Sequence, residues 1–224
     1  MCGIVGIINF SDNNDFLEKK NLLKMRDSMT HRGPDDCGNY NDKYVGFGQR
    51  RLSILDLSRQ GRQPMKYKDK IIIFNGEIYN FQAIKEDLER LGDKFISKTD
   101  TEVILHAFEH WGEKCLEKFN GMFAFAIWDR KRRKLFIARD RLGVKPLYYF
   151  KPNKNVLVFA SEIKAICAYN KYQPEIAKEN LFDFFRYSFV PGDKTLFKEI
   201  KELLPGHFIK GEATQNNLKL NFKK

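Results

Sequence analysis

The chain has 224 residues, of which 42% are hydrophobic and 14% aromatic, which is enough to bury the core of one large domain. No apolar run approaches the roughly 20 residues that a membrane-spanning helix needs. The N-terminus also lacks the basic stretch and apolar core of a signal peptide. We therefore expect a cytoplasmic protein that makes no membrane contact.

The formal net charge of +11 raises the question of nucleic-acid binding. The lysines, however, are scattered along the chain and often stand beside acidic residues, as in KEDLER (85–90). The densest basic run, RKRRK (130–134), lies between two apolar segments and is typical of a charged hairpin tip, with an anion or partner contact as the alternative. We predict a solvated surface and no nucleic-acid partner.

The four cysteines are dozens of residues apart and form neither a CxxC motif nor a Cys/His cluster. This spacing argues against a zinc site and against a disulfide framework. We expect no metal, and we expect Cys37, Cys115 and Cys167 to be buried thiols.

In chain order, GIVGIINF (3–10) is predicted to form a buried strand that ends at the polar turn SDNN (11–14). Apolar residues at helical spacing predict a helix over 16–29, beginning with Phe16 and ended by the glycine and proline of HRGPDD (31–36). Two further strands are predicted over 44–55 and 70–79, joined by a polar loop.

Two more helices are predicted from their caps and apolar faces. Asn80 is a plausible N-cap for a short helix that ends near Leu91. Thr99 and Glu102 fit a reciprocal capping pair at the start of a second helix, which Gly112 can end.

The chain then becomes a series of short apolar segments that predict an antiparallel meander: MFAFAIWD (122–129), KLFIARD (134–140), PLYYF (146–150) and VLVFAS (156–161). The first segment is apolar almost throughout, which indicates a sheet covered on both faces. Helical stretches over 163–168 and 177–185, a strand over 207–212 and a polar tail complete the prediction. Antiparallel strand groups with interspersed helices indicate an α+β fold.

Cys2 becomes chemically distinctive if Met1 is removed, because one residue then carries both a thiol and a free α-amine. The α-amine titrates near 7.7–8.0 and the thiol near 8.5, so the amine can accept the thiol proton at neutral pH without a histidine. Such a nucleophile suits attack on a carboxamide. The alternative is an incidental thiol near the chain terminus.

Three other features contain the groups that such chemistry requires. Asn75 and Gly76 directly follow the apolar run IIIF, so a carboxamide donor and an unhindered N–H at a strand end can form an oxyanion hole. The alternative is a simple Asn-Gly turn. Arg51 can bind a carboxylate through two hydrogen bonds, with Arg50 as its rival because adjacent strand residues face opposite sides. Asp100 can pair with an α-ammonium group, although the helix dipole alone also favours an acid there.

Seven motifs in register from Cys2 to about His207 resemble the asparagine synthetase family: CGIVGI, HRGPDD, RRLSILD, FNGEIYN, KTDTEVI, NGMFAFAIWD and RDRLGVKPLYY. The resemblance implies a class II glutamine amidotransferase domain over 1–212 with the N-terminal-nucleophile hydrolase fold, a four-layer αββα sandwich of two antiparallel sheets. It also implies hydrolysis of L-glutamine through a Cys2 thioester, without a cofactor for that step.

The resemblance also implies a role for each candidate residue. Asn75 and Gly76 are similar to the oxyanion hole, and Arg51 is similar to the clamp on the α-carboxylate of glutamine. Glu77 and Asp100 resemble the contacts to its α-amino end, and the backbone near Ile54 resembles the pocket wall.

The departure from the family is at the C-terminus, where no ATP-dependent synthetase domain with an SGGxDS-type loop follows. We therefore expect 213–224 to be a polar tail before a missing domain, the part for which ATP and magnesium are expected. The ammonia would then have to pass to a separate synthetase domain or protein, or diffuse away. The alternative function is a non-catalytic glutamine-binding or assembly module that has no synthetase domain.

Overall fold

The computed structural model describes residues 1–11, 17–169, 172–214 and 217–224. Within these residues, twelve strands form two six-stranded sheets with antiparallel neighbours. The first sheet contains, in spatial order, β10 (Ile200–Glu202), β8 (Tyr148–Asn153), β9 (Val156–Ala160), β1 (Gly3–Asn9), β3 (Val45–Arg51) and β2 (Asp36–Asn41). The second sheet contains β12 (Asn217–Lys223), β11 (Phe208–Thr214), β7 (Lys134–Arg139), β6 (Gly121–Asp129), β5 (Lys70–Ile78) and β4 (Met65–Tyr67).

Helices cover the outer faces of both sheets. Against the first sheet pack α1 (Lys19–Asp27) and α5 (Ile163–Cys167). Against the second sheet pack α2 (Phe81–Arg90), α3 (Asp100–Trp111) and α4 (Cys115–Lys118). A further short helix, α6 (Leu181–Tyr187), precedes β10. The predicted α+β sandwich of two antiparallel sheets is confirmed.

The alternation of side chains along each strand produces three apolar layers. Ile4 and Ile8 of β1 face the core between the sheets, whereas Val5 and Ile7 face the first helical layer. Trp128 of β6 is fully buried between the sheets. Because β6 is covered by the opposite sheet on one face and by helices on the other, its nearly continuous apolar sequence is explained, as predicted.

The predicted meander over 122–161 is wrong. β6 and β7 form a hairpin in the second sheet, whereas β8 and β9 form a hairpin in the first. The connection between these hairpins is held by the buried Asp140, whose carboxylate accepts hydrogen bonds from the backbone N–H groups of Phe123, Leu142, Val144 and Lys145. Strand periodicity does not reveal hydrogen bonds of this kind. The sequence therefore did not predict that the chain passes from the second sheet to the first after β7.

The predicted polar tail from 213 onward also differs from the structure. β11 continues to Thr214, and β12 pairs with it along its whole length. Leu218 of β12 is buried in the core between the sheets. The alternating sequence NLKLNFK (217–223) is typical of a half-buried strand, and it was obscured by the surrounding polar residues.

The helix ends agree with the predictions only in part. The structure describes α1 from Lys19, so Phe16 and the turn residues 12–14 lie outside the described residues. Asn80 precedes α2 but donates its side-chain N–H to the Lys118 carbonyl instead of capping the helix. Thr99 caps α3 by accepting the N–H of Glu102, whereas the Glu102 carboxylate accepts from the N–H groups of Ile96 and Ser97.

Only one of the three cysteines predicted to be buried is fully so. Cys115 is buried, Cys167 is half-buried and Cys37 is exposed on β2, where alternate residues face solvent. All four cysteines are free thiols. Among the described residues, no helix is both long and apolar enough to cross a membrane.

Candidate active site

A cavity of about 150 Å³ lies where β1 begins and β3 ends. Strand β5 and the first turn of α3 complete its wall. The structure brings all the predicted site residues to this cavity, which is lined by Cys2, Arg51, Ile54, Asn75, Gly76, Glu77 and Asp100. Ile54 is at the open side, since 61% of its surface is exposed.

Cys2 immediately precedes the central strand β1 and is half-buried. Its thiol lies 3.7 Å from the Leu52 carbonyl oxygen, and its own carbonyl accepts a hydrogen bond of 2.9 Å from Nε of Arg32. Burial raises the pKa of the Cys2 thiol, while the positive charges of Arg51 and Lys145 act in the opposite direction. The thiol is thus held at the cavity wall with cations near it.

The two neighbouring arginines of β3 face opposite sides, as strand geometry requires. Arg51 is buried and lines the cavity, where its Nη2 donates to the carbonyl oxygens of Leu55 (3.1 Å) and Asp56 (2.5 Å). Arg50 points away and pairs with Asp27 at 2.6 Å. Of the two candidates, therefore, it is Arg51 that reaches the cavity.

Asn75 and Gly76 lie inside β5, within the strand predicted over 70–79, so the expectation that they stand at a strand end and the alternative of a turn are both wrong. They pair with Ala124 and Phe123 of β6. Asn75 is 1% exposed, and its Nδ2 has no hydrogen-bond acceptor in the part of the chain that the structure describes. A buried amide donor without an acceptor is costly unless a ligand supplies one.

Gly76 is required by the close approach of β6. A Cβ atom at this position would lie 2.1 Å from the carbonyl oxygen of Met122 and 2.7 Å from Cα of Phe123. Both are backbone atoms of a central strand and cannot move aside like the end of a side chain. The glycine therefore allows β5 to pair with β6 directly beside the cavity.

Asp100 is 4% exposed at the start of α3, and its Oδ2 accepts the N–H of Ile78 at 3.0 Å. Burial raises its pKa to about 6, and the negative charge of Glu77 contributes to the increase. Glu77 lines the same cavity. Two acidic groups and one guanidinium therefore surround a space that can hold a zwitterionic amino acid.

Sequence reasoning missed several residues of the cavity wall, among them Gln63, Thr101 and Lys145. Gln63 accepts the N–H of Phe74 at 2.6 Å and donates to Oγ1 of Thr101 at 3.2 Å, so it joins β5 to α3. Thr101 could have been suspected from its neighbour Asp100. Lys145 stands in the motif RDRLGVKPLYY, but its burial was not expected, because a lone lysine in a loop is normally solvated.

Comparison with known proteins identifies the family. A model described as a glutamine amidotransferase domain matches residues 1–222. The glutamine-hydrolyzing asparagine synthetase 3 of Bacillus subtilis strain 168 is 43% identical over 213 residues, covering 92% of this chain and 34% of the relative. A putative glutamine-hydrolyzing asparagine synthetase 2 of Methanocaldococcus jannaschii is 39% identical over 238 residues, covering 96% of this chain and 43% of the relative. The chain thus spans about a third of the length of the first of these relatives.

Among solved structures, the glutamine phosphoribosylpyrophosphate amidotransferase of B. subtilis has a TM-score of 0.69 at 18% identity, covering 98% of this chain and 49% of that one. The described residues therefore form a two-sheet sandwich of the same fold class as that amidotransferase, with Cys2 directly before the central strand β1. Within this class, the chain belongs to the class II glutamine amidotransferase domain family and is an enzyme domain homologous to the glutamine-hydrolyzing asparagine synthetases.

Proposed function

We propose that this domain hydrolyses L-glutamine to L-glutamate and ammonia through a thioester on Cys2. The observation that carries the proposal is the common cavity, which is lined by Cys2, Arg51, Asp100 and Asn75, whose Nδ2 has no acceptor among the described residues. These groups together match the carboxamide, the α-carboxylate and the α-ammonium group of one small substrate.

Binding is proposed to use the charged end of glutamine. The Arg51 guanidinium pairs with the α-carboxylate, since a planar fork of donors suits two carboxylate oxygens. Asp100 and Glu77 pair with the α-ammonium group. Ile54 contributes to the open side of the pocket. This arrangement directs the side-chain carboxamide toward Cys2.

The reaction then proceeds in two balanced steps. The α-amine of Cys2 takes the thiol proton, the sulfur attacks the carboxamide carbon, and the resulting oxyanion is stabilised by Nδ2 of Asn75 and the N–H of Gly76. The proton passes to the leaving group, and ammonia departs from a Cys2 thioester. Water attacks the thioester, releases glutamate and restores the thiol.

Met1 must be removed before this chemistry is possible. While Met1 is present, the nitrogen of Cys2 is an amide without basicity, and Met1 itself contributes to the cavity wall. Its removal exposes the amine that acts as the base. The step requires neither a metal nor an organic cofactor, because the thiol, the amine and the two hydrogen-bond donors supply the necessary chemistry.

The ammonia is proposed to serve asparagine biosynthesis in the cytoplasm, delivered to a synthetase domain or a separate synthetase protein that uses ATP and magnesium. The relatives named glutamine-hydrolyzing asparagine synthetases support this proposal. L-Glutamine is the small-molecule partner, and neither nucleic acid nor a membrane has a role.

The test is a glutaminase assay on protein whose Met1 removal has been verified by intact mass. We expect Cys2→Ala to abolish activity while circular dichroism shows an unchanged fold. Activity of the Cys2→Ala variant at the unaltered rate would contradict the proposal. As a matched control, protein with an uncleaved residue before Cys2 retains the thiol but lacks the free amine, and it should be inactive as well. Retention of Met1 in the native host would instead support the non-catalytic glutamine-binding module.

A further inference from the structure

Lys145 is a buried cation of the cavity wall to which the proposed reaction assigns no role. It is 5% exposed and lies in the connection between β7 and β8. Its Nζ donates to the sulfur of Met1 at 3.4 Å. A thioether is a weak acceptor, and in the described part of the chain no carboxylate forms an ion pair with this ammonium group.

Two buried arginines outside this cavity do have such partners. Arg32 pairs with Glu162 at 3.0 Å, and Arg139 pairs with Glu202 at 2.7 Å. A buried charge without a close counterion lowers stability, because desolvation is not offset. A charged residue that lowers stability in this way and lies at a reactive cavity is a candidate functional residue.

The charges around Lys145 and Cys2 come from several elements. Lys145 is influenced by Glu77 of β5, by Asp140 in its own connection and by the cationic Arg32. Burial lowers the pKa of Lys145, and the two carboxylates oppose that change. The Asp140 carboxylate already accepts hydrogen bonds from several backbone N–H groups. Of the two carboxylates, Glu77 is therefore the more available to interact with the Lys145 ammonium group.

Two cations of the cavity wall lie close enough to Cys2 to influence its thiol. Arg51 of β3 and Lys145 both act on its thiol, while Asp100 and Glu77 line the same cavity. Arg51 donates to loop carbonyls and is assigned above to the substrate carboxylate. Met1, Cys2 and Lys145 line one cavity, so the loss of Met1 removes the thioether contact of the ammonium group and forms the α-amine of Cys2 at the same cavity.

We propose that the Lys145 ammonium group disfavours protonation of both the α-amine and the thiol of Cys2, so that the amine is a free base at neutral pH. This inference rests on the proposed role of Cys2. A neighbouring positive charge destabilises an ammonium and stabilises a thiolate, so both groups lose their protons at lower pH. Lys145 thus acts through Cys2 as a positioning residue, by its charge.

The experiment measures the rate at which iodoacetamide alkylates Cys2 from about pH 6 to about pH 11 in protein without Met1, using peptide mass spectrometry. In Lys145→Met, the midpoint of the rate profile should rise by about one pH unit, the lower end of the range for a nearby charge. In Lys145→Arg, which keeps the charge, the midpoint should stay within about 0.3 units. The exposed Cys37 in the same samples serves as the internal control and should show the same profile in all proteins.

An unchanged midpoint in Lys145→Met would overturn the inference. Equal shifts in the methionine and arginine variants would also overturn it, because packing rather than charge would then be responsible. The backbone of Lys145 bonds to Arg139 and Asp140, and these bonds do not depend on its side chain. If Lys145→Met does not fold, Lys145→Gln replaces it with the same expected shift.

The alkylation profile does not require glutamine turnover, so the two proposals can fail separately. If Cys2→Ala keeps glutaminase activity, the proposed reaction is wrong even when the alkylation midpoint moves. If activity depends on Cys2 and the midpoint does not move, only the role of Lys145 is wrong.

Discussion

Asp100 shows how a single buried carboxylate can make substrate binding depend on pH. Its pKa is raised to about 6 by burial, so it loses its negative charge as the pH falls below that value. We predict that the affinity for glutamine falls by up to about tenfold per pH unit below about pH 6, because only the ionised form attracts the α-ammonium group. Calorimetric titration of the inactive Cys2→Ala variant with glutamine measures this dependence separately from catalysis.

Asp100→Asn is the matched control for this prediction. It should bind glutamine weakly, and its affinity should no longer change around pH 6. An undiminished pH dependence in that variant would assign the titration to another group. Circular dichroism at each pH separates loss of binding from acid unfolding.

At the scale of single residues, the sequence predicted a site residue best where both its side-chain chemistry and its position on a strand limited the choice. Strand alternation limits the choice between Arg50 and Arg51 to one of them, and the structure shows which one reaches the cavity. The burial of Lys145 could not be predicted in the same way. It depends on the connection between the hairpins, which reaches the cavity only when the two sheets pack together.

At the scale of elements, Gly76 controls the contact between β5 and β6. We predict that Gly76→Ala lowers the free energy of unfolding by about 3 kcal/mol or more, because the new methyl group meets backbone atoms of β6. Urea denaturation measures the loss.

Gly92→Ala provides the comparison. Gly92 has a φ of +96°, and a Cβ atom there would meet nothing within 4 Å, so only the backbone cost of about 1–2 kcal/mol is expected. Equal losses in the two variants would show that contact with β6 is not the reason for glycine at position 76.

The elements themselves were largely predictable, because β1, β3, β5, β6 and the two amphipathic helices α2 and α3 have clear periodicities. The error at Asn75 and Gly76 has a physical origin. An Asn-Gly pair usually favours a turn, and here pairing with nine residues of β6 overrides that local preference. The short strand β2 was missed because its sequence DCGNYN contains few residues with strand propensity.

At the scale of the whole molecule, β12 tests whether the C-terminal residues belong to the sandwich. Leu218 is buried between the sheets, and Lys219 is exposed next to it. We predict that Leu218→Ala lowers the free energy of unfolding by about 2–3 kcal/mol. Lys219→Ala should change it by no more than about 0.5 kcal/mol. Thermal denaturation of both variants measures the difference, and two neutral results would show that β12 contributes no core contact.

The topology was the part that the sequence predicted least. Local patterns identify strands but do not state which sheet receives them, and the crossing between β7 and β8 depends on hydrogen bonds to one buried aspartate. The resemblance to a known family supplied the two-sheet sandwich as a whole. It did not supply the pairing of β12 with β11.

The central place of β1 also has a practical consequence for recombinant production. Its first residue pairs with Arg50, so whatever precedes Cys2 is directed to the cavity, as Met1 is. An affinity tag fused before residue 2 would begin at the cavity wall and leave Cys2 without a free α-amine even if the sandwich folded correctly. Purification should therefore use a tag whose protease leaves cysteine as the new first residue.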